Sequence, residues 1–291
     1  MPFLRERSGA WSPEKMVAFA GALVPAAWLI ARVFMHDLGP RPVTEAIHYS
    51  GEWAVRFLYL ALAVSPACRI FMAPRLIAMR RILGVTAFAY ASLHLSLYVL
   101  DQHFDLWQVA SEIALRFYLT IGFVALTALI ALTATSFDRA IRHLGSQSWN
   151  RLHSCVYAIA VLAQVHFLLQ SKNDVWQPIL MLGFLAWLFG YRLLIRYAGE
   201  VTFARLVGLA IGCACLTAVA ETTWHAARTG LNAWMIFLAN FDFSYEIRPA
   251  WWVLAAGLAV AAASLLWRQR TTARRIWSRA FSGATSVQSA S

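Results

Sequence analysis

Charge is scarce in this sequence: only 13% of its 291 residues are Asp, Glu, Lys or Arg, while 60% are hydrophobic and the mean hydropathy is +0.58. So few charges cannot cover the surface of a soluble fold of this length, and lipid is the expected solvent. Cysteine is scarce too. Cys68, Cys155, Cys213 and Cys215 lie in or near apolar stretches and read as small apolar side chains, not as a disulfide framework. No Cys-x-x-Cys-His occurs, which excludes covalent haem attachment. No glycine-rich dinucleotide or P-loop pattern stands between a strand and a helix, so any pyridine nucleotide must be handled by another protein.

Long apolar runs fill the space that charge leaves. A spanning helix needs roughly 20 apolar residues, because in hydrocarbon every backbone polar group must be satisfied within the helix. Eight such stretches are expected: Val17–Phe34, Trp53–Cys68, Leu83–Leu100, Phe117–Ala134, Leu152–Gln170, Ile179–Leu194, Phe203–Ala220 and Trp251–Trp267. The fold class is therefore an all-α polytopic transmembrane bundle. The first stretch follows Arg5, Arg7 and Lys15 with no small-residue cleavage pattern after it, and reads as a retained helix. No internal repeat is evident, and Pro25 and Pro66 are placed near helix ends, which speaks against the broken helices of a transporter.

The few charges are unevenly distributed. With the amino terminus inside, the cytoplasmic segments hold 18 of the 25 Lys and Arg residues, including Arg69, Arg75, Arg80, Arg81, Arg139, Arg142 and Arg151. Ten of the 14 acidic residues fall on the other side. Basic residues stay inside during insertion, so both termini are expected in the cytoplasm of an inner-membrane protein. The net charge of +11 is dispersed over helix ends and suits anionic lipid headgroups, not nucleic acid. Residues 268–279 should form a basic surface segment and residues 282–291 a disordered tail. Most of the 13 tryptophans stand at helix ends, as expected for the headgroup layer.

Ionisable groups inside a span are costly, so the eight histidines are the sharpest clue to chemistry. At 1.5 Å per residue, His94 lies roughly 20 Å beyond Arg81 on the third span, and His166 roughly 22 Å beyond Arg151 on the fifth. The two are nearly level, in the outer half of the membrane. Two neutral imidazoles at one depth on different helices can coordinate one haem iron from both faces. His153 lies roughly 20 Å below His166 on the same helix and cannot share that iron. It could hold a second haem, contact a flavin or quinone, or cap the interface, with His143 the nearest further imidazole. His48 and His103 are placed at the outer surface, and His36 and His225 in solvated loops. Arg56 and Arg116, just inside the outer ends of their helices, could pair with haem propionates or snorkel to headgroups. No catalytic residue is expected.

Several strings resemble the MsrQ (YedZ) family, the haem-binding membrane subunits of the periplasmic methionine sulfoxide reductase system, within the ferric-reductase-like transmembrane group. They are Ala46-Ile-His48-Tyr-Ser-Gly51, Arg56-Phe-Leu58, Ser65-Pro66-Ala-Cys-Arg69, Arg80-Arg-Ile-Leu-Gly84, Leu93-His94-Leu95, Arg116-Phe-Tyr-Leu-Thr120, and Trp149-Asn-Arg-Leu-His153 through His166. Together they cover about Val17 to Tyr197. The resemblance implies that His94, His153 and His166 are haem-associated. It also implies b-type haem, one or two, and an FMN. Electrons would come from the quinone pool or a cytoplasmic flavin reductase and pass to a periplasmic molybdopterin methionine sulfoxide reductase subunit. The Gly145–Trp149 loop is one residue longer than the family pattern, and the helices from Phe203 onward have no counterpart in the shortest members.

The expected organisation is thus a cytoplasmic segment at 1–16, a six-helix haem-binding domain at 17–197, two added spans at 198–267 and a basic cytoplasmic tail at 268–291. The expected function is transmembrane electron transfer. The competing readings are a ferric-ion or oxygen reductase at the outer haem and a haem-free transporter or assembly factor.

Overall fold

The structure is a computed structural model that describes residues 11–171, 174–244 and 246–288, with side chains through residue 267 and at 269. Arg5 and Arg7 lie outside the described residues, as do the side chains of the basic segment at 268 and from 270 onward, and residues 289–291.

Among the described residues there are twelve α-helices. They are α1 (Pro13–Phe34), α2 (Pro42–Ile70), α3 (Met79–Asp101), α4 (Leu106–Leu115), α5 (Phe117–Ala134), α6 (Asp138–Leu144), α7 (Ser146–Ser154), α8 (Val156–Gln170), α9 (Trp176–Ala198), α10 (Phe203–Thr229), α11 (Ala233–Leu238) and α12 (Pro249–Gln288). Eight spans are long and apolar enough to cross a membrane, in the order the sequence implies. The protein is a multi-pass helical membrane bundle.

The departures from expectation lie at helix ends and in loops. The α10 helix runs nine residues past Ala220, to a left-handed Gly230 at φ +69° that closes its carboxyl end. His225 is therefore a half-buried helical residue and not a loop histidine. The Asp138–Arg151 connection is not a loop: it holds α6 and most of α7, separated by Gly145 at φ +74°. Pro25 sits in the middle of α1, not near an end, where it is fully buried and the helix runs through it. Helix-breaking residues are tolerated in spans because neighbours can satisfy the freed backbone groups. Residues 282–288 continue α12 where a disordered tail was expected, since extending an existing helix costs far less than starting one.

The chain divides into two compact units, Met1–Ser65 with Pro74–Leu185, and Pro66–Ala73 with Ala186–Ser291. In the first, α3 packs on α1 and α5, and α5 packs on α8. The Tyr90 hydroxyl of α3 donates to the Ala22 carbonyl of α1 at 2.9 Å. A buried polar network ties α2, α8 and the start of α9: Tyr59 donates to Gln164 Oε1 at 2.8 Å, and Gln164 Nε2 donates to the Pro178 carbonyl at 2.8 Å. Every polar atom in that chain has a partner, so the network fixes helix register instead of costing desolvation.

The second unit is built on α10 against α12. Its core gathers Ile70, Tyr191, Leu206 and Ala261. Small residues let these helices approach closely: a Cβ on Gly257 would stand 2.5 Å from the Ala210 Cβ, and one on Gly190 2.6 Å from Leu209 Cδ1.

Candidate functional site

The first unit brings His94 of α3 and His166 of α8 together, with ring centroids 6.3 Å apart and planes at 84°. Matching depth on different helices, read from the rise per residue, thus corresponds to proximity in space. Each ring is held in the same way. His94 Nδ1 lies 2.7 Å from the Ile47 carbonyl of α2, and His166 Nδ1 lies 2.7 Å from the Tyr118 carbonyl of α5. A carbonyl only accepts, so in each neutral ring Nδ1 carries the proton and Nε2 keeps its lone pair.

Glycine makes both contacts possible. Gly51 stands four residues after Ile47, and Gly122 four residues after Tyr118, one helical turn from the accepting carbonyl. A Cβ on Gly51 would meet His94 Nδ1 at 2.8 Å, and one on Gly122 would meet His166 Nδ1 and Cε1 at 2.8 Å. Any larger residue would push the imidazole off its carbonyl. The site is therefore two copies of one device, a helix carbonyl followed a turn later by glycine, each cradling an imidazole from the neighbouring helix. The sequence reading placed Gly51 only in a family string and missed Gly122. A glycine inside a span facing a histidine-bearing helix is the signal that would have found it.

A polar chain runs along one end of the pair. The Tyr98 hydroxyl, one turn beyond His94, donates to Glu112 Oε2 at 2.5 Å. Arg116 donates to Glu112 Oε1 at 3.0 Å and to the Tyr118 hydroxyl at 3.3 Å. The Tyr118 hydroxyl and then the Glu112 carboxylate raise the Arg116 pKa, which keeps this cation charged. Glu112 belongs to α4, an amphipathic helix that the sequence reading did not separate, started by Asp105 accepting from the Gln108 amide at 2.9 Å.

The remaining sequence candidates are placed apart from the pair or at its edge. Arg56 donates to Glu52 Oε2 at 2.8 Å and to Gln177 Oε1 at 3.0 Å, and its guanidinium lies 4.9 Å from the Trp53 ring centre. His153 falls on α7 and His166 on α8, two segments that meet at Cys155 in helical backbone and together make one span, Ser146–Gln170. Its ring stacks on Trp149 at 3.9 Å, and Nε2 lies 3.2 Å from Thr135 Oγ1. The Trp149 indole in turn donates to the Thr135 carbonyl at 2.8 Å. His143 lies on α6, where it lines an open hollow of about 960 Å³ with Ala134, Phe137, Arg139, Ala140 and Arg142. His36, His48 and His103 are exposed.

A family model described as "Ferric reductase like transmembrane component" matches residues 50–164, a stretch containing Gly51, Arg56, His94, Arg116, Gly122 and His153. The protein-methionine-sulfoxide reductase haem-binding subunit MsrQ of Caulobacter vibrioides is 38% identical over 165 residues, which are 56% of this chain and 79% of that protein. The subunits of the same name from Rhodospirillum rubrum and Xanthomonas euvesicatoria are each 37% identical, over 180 residues (62% and 86%) and 198 residues (66% and 90%). The chain belongs to the MsrQ family. The same aligned residues make up more of each relative than of this chain, so this chain is the longer one. No solved structure matches it.

Proposed function

We propose that this chain is a haem-b electron-transfer subunit that carries electrons across a bacterial inner membrane to a periplasmic methionine sulfoxide reductase subunit. The carrying observation is the paired imidazole cradle. With metal–nitrogen bonds of about 2 Å and about 1.1 Å from nitrogen to ring centre, two imidazoles on opposite sides of one metal have centroids about 6 Å apart. The observed separation is 6.3 Å. Among the described residues no group of three or more His, Cys, Asp or Glu gathers to hold a bare ion. A two-imidazole set suits a metal whose remaining ligands come with it, as in a haem.

Under this reading His94 and His166 would offer Nε2 to the iron, while the Ile47 and Tyr118 carbonyls fix the tautomer and orientation of each ring and raise its basicity. Gly51 and Gly122 keep the rings within reach of those carbonyls. Haem b, when bound, supplies a one-electron iron couple. Arg56 and Arg116 are the arginines that would neutralise propionates; Arg56 is the less exposed, 24% against 51%, and each is also held by a carboxylate, Glu52 and Glu112 respectively. With both His94 and His166 as ligands, no coordination position would be left open, which would favour outer-sphere electron transfer over a ferric-ion or oxygen reductase.

His153 serves electron entry, with a second haem as the alternative reading of the same residue. Arg139 and Arg142 give the hollow lined by α6 the positive charge that an FMN phosphate requires, His143 adds a polar ring, and Ala134 and Phe137 give it an apolar wall. The donor is the quinone pool or a cytoplasmic flavin reductase. The concentration of basic residues in the loops supports cytoplasmic termini, and an electron moving outward in that orientation gains about 2.3 kcal/mol per 100 mV of potential. Residues 17–197 carry this function, and the partner holds the molybdopterin that reduces methionine sulfoxide. A reduced-minus-oxidised spectrum of membranes containing the protein tests the reading: a b-type haem signal is expected, and its absence would overturn it.

A further inference from the structure

We propose that Glu112 is a positioning residue for the His94–His166 pair, fixing the distance and angle between the two imidazoles. The inference rests on the haem reading only for one of its two readouts.

Each histidine is tethered to one neighbour, His94 to α2 and His166 to α5. Neither tether sets how far the two rings stand from each other. That depends on how α3, which carries His94, is held relative to α5, which holds His166. The Glu112 carboxylate bridges these helices at the level where it matters. One oxygen accepts from Tyr98, four residues after His94 on α3. The other accepts from Arg116, which stands at the N-cap position of α5 and also donates to the hydroxyl of Tyr118, the residue whose carbonyl holds His166. The path from one ring to the other therefore runs His94, Tyr98, Glu112, Arg116, Tyr118, His166, with a direct contact or a single helical turn at each step.

Two features make Glu112 the fixed point of this path. Its side chain is 19% exposed, so its bonds are partly shielded from water, whereas Arg116 is 51% exposed and its ion pair alone would be weakened by solvent. The bond from the Tyr98 phenol to the Glu112 carboxylate is charge-assisted and directional. The helix bearing Glu112 is itself pinned to α5, because Thr120 Oγ1 donates to the Ile113 carbonyl at 2.6 Å. The carboxylate is thus held between two partners and does not swing freely at a surface.

The test compares Glu112→Ala, Glu112→Gln, Tyr98→Phe and the double variant Tyr98→Phe/Glu112→Ala with the wild type, and uses Asp138→Asn as a control. The control breaks an ion pair of the same unit, Arg81–Asp138, away from this path. The first readout is the EPR g-values of the oxidised haem protein, which report the mutual orientation of two axial imidazoles. The second is the histidine ring ¹⁵N spectrum of haem-free protein. Expected are altered g-values and altered His94 and His166 ring signals in Glu112→Ala and Tyr98→Phe. The double variant should be no further changed than Glu112→Ala, Glu112→Gln should be intermediate, and Asp138→Asn should be unchanged. If Glu112→Ala does not accumulate, Glu112→Gln and Tyr98→Phe carry the comparison. Wild-type signals in both of these, or an equal change in Asp138→Asn, would overturn the proposal. A wild type without haem would overturn the haem reading instead, and the ¹⁵N comparison would still decide the role of Glu112.

Discussion

Glycine does different work in the two units. In the first, Gly51 and Gly122 make room for a side chain, an imidazole that reaches past the missing Cβ to a helix carbonyl. In the second, Gly257 makes room for a backbone, with the Ala210 Cα only 3.1 Å from where its Cβ would be. The polar interiors differ in the same sense. The first unit buries a satisfied Tyr59–Gln164–Pro178 chain. The second buries Glu221, which meets Arg248 at 3.4 Å through one oxygen while Oε2 has no partner among the described residues. Under the proposed function the first unit holds the cofactor, whereas the second is organised for helix-to-helix contact.

Substitutions at matched positions should separate these roles. The largest effect is expected from His94→Ala or His166→Ala, each removing most haem absorbance while the protein still inserts. Normal haem content in both would remove the basis for treating the first unit as the cofactor unit. Next come Gly51→Ala and Gly122→Ala. The added methyl meets a ring that can swing away, so haem retention should fall more than stability does. Gly257→Ala should do the reverse, costing about 1–3 kcal/mol by overpacking against backbone while haem per folded protein stays at the wild-type level. Thermal unfolding followed alongside haem content distinguishes the two patterns.

Tyr59→Phe tests the polar interior of the first unit. It leaves Gln164 Oε1 buried without its donor, at a cost of about 1–3 kcal/mol, and should lower the unfolding temperature without displacing the haem. The smallest effect on haem content is expected from His153→Ala, because the ligands of the paired site are untouched. Its haem should be reduced slowly by the physiological donor yet fully by dithionite in stopped-flow mixing. Equal donor-driven rates in variant and wild type would leave His153 as a structural residue stacked on Trp149, and loss of about half the haem would assign it to a second haem.

The pairing of His94 with His166 is legible in the sequence because a span rises by a fixed amount per residue, so the two rings fall at matching heights on their helices. The eight spans are legible for the same reason that makes hydropathy informative, the absence of backbone partners in lipid. The cradles are not legible. Whether Ile47 or a neighbouring carbonyl faces His94 depends on the rotation of α2 about its axis, which composition does not encode. Gly122 is one of 15 glycines, and only the imidazole opposite it separates its role from that of Gly257. The helices α4, α6 and α7 are short, and α6 and α7 are also rich in polar residues, so they escape a search tuned to long apolar runs. With α4 the whole path through Glu112 is hidden, since Tyr98 and Glu112 are 14 residues apart and meet only because the chain turns between them.

Pulsed EPR on oxidised protein carrying ¹⁵N-labelled histidine tests the central assignment most directly, because it counts the histidine nitrogens bonded to the iron. Two equivalent axial histidine nitrogens are expected in the wild type, with one lost in any haem that His94→Gly or His166→Gly retains. A wild-type signal from fewer than two histidines, or two histidine nitrogens persisting in either variant, would contradict the shared site.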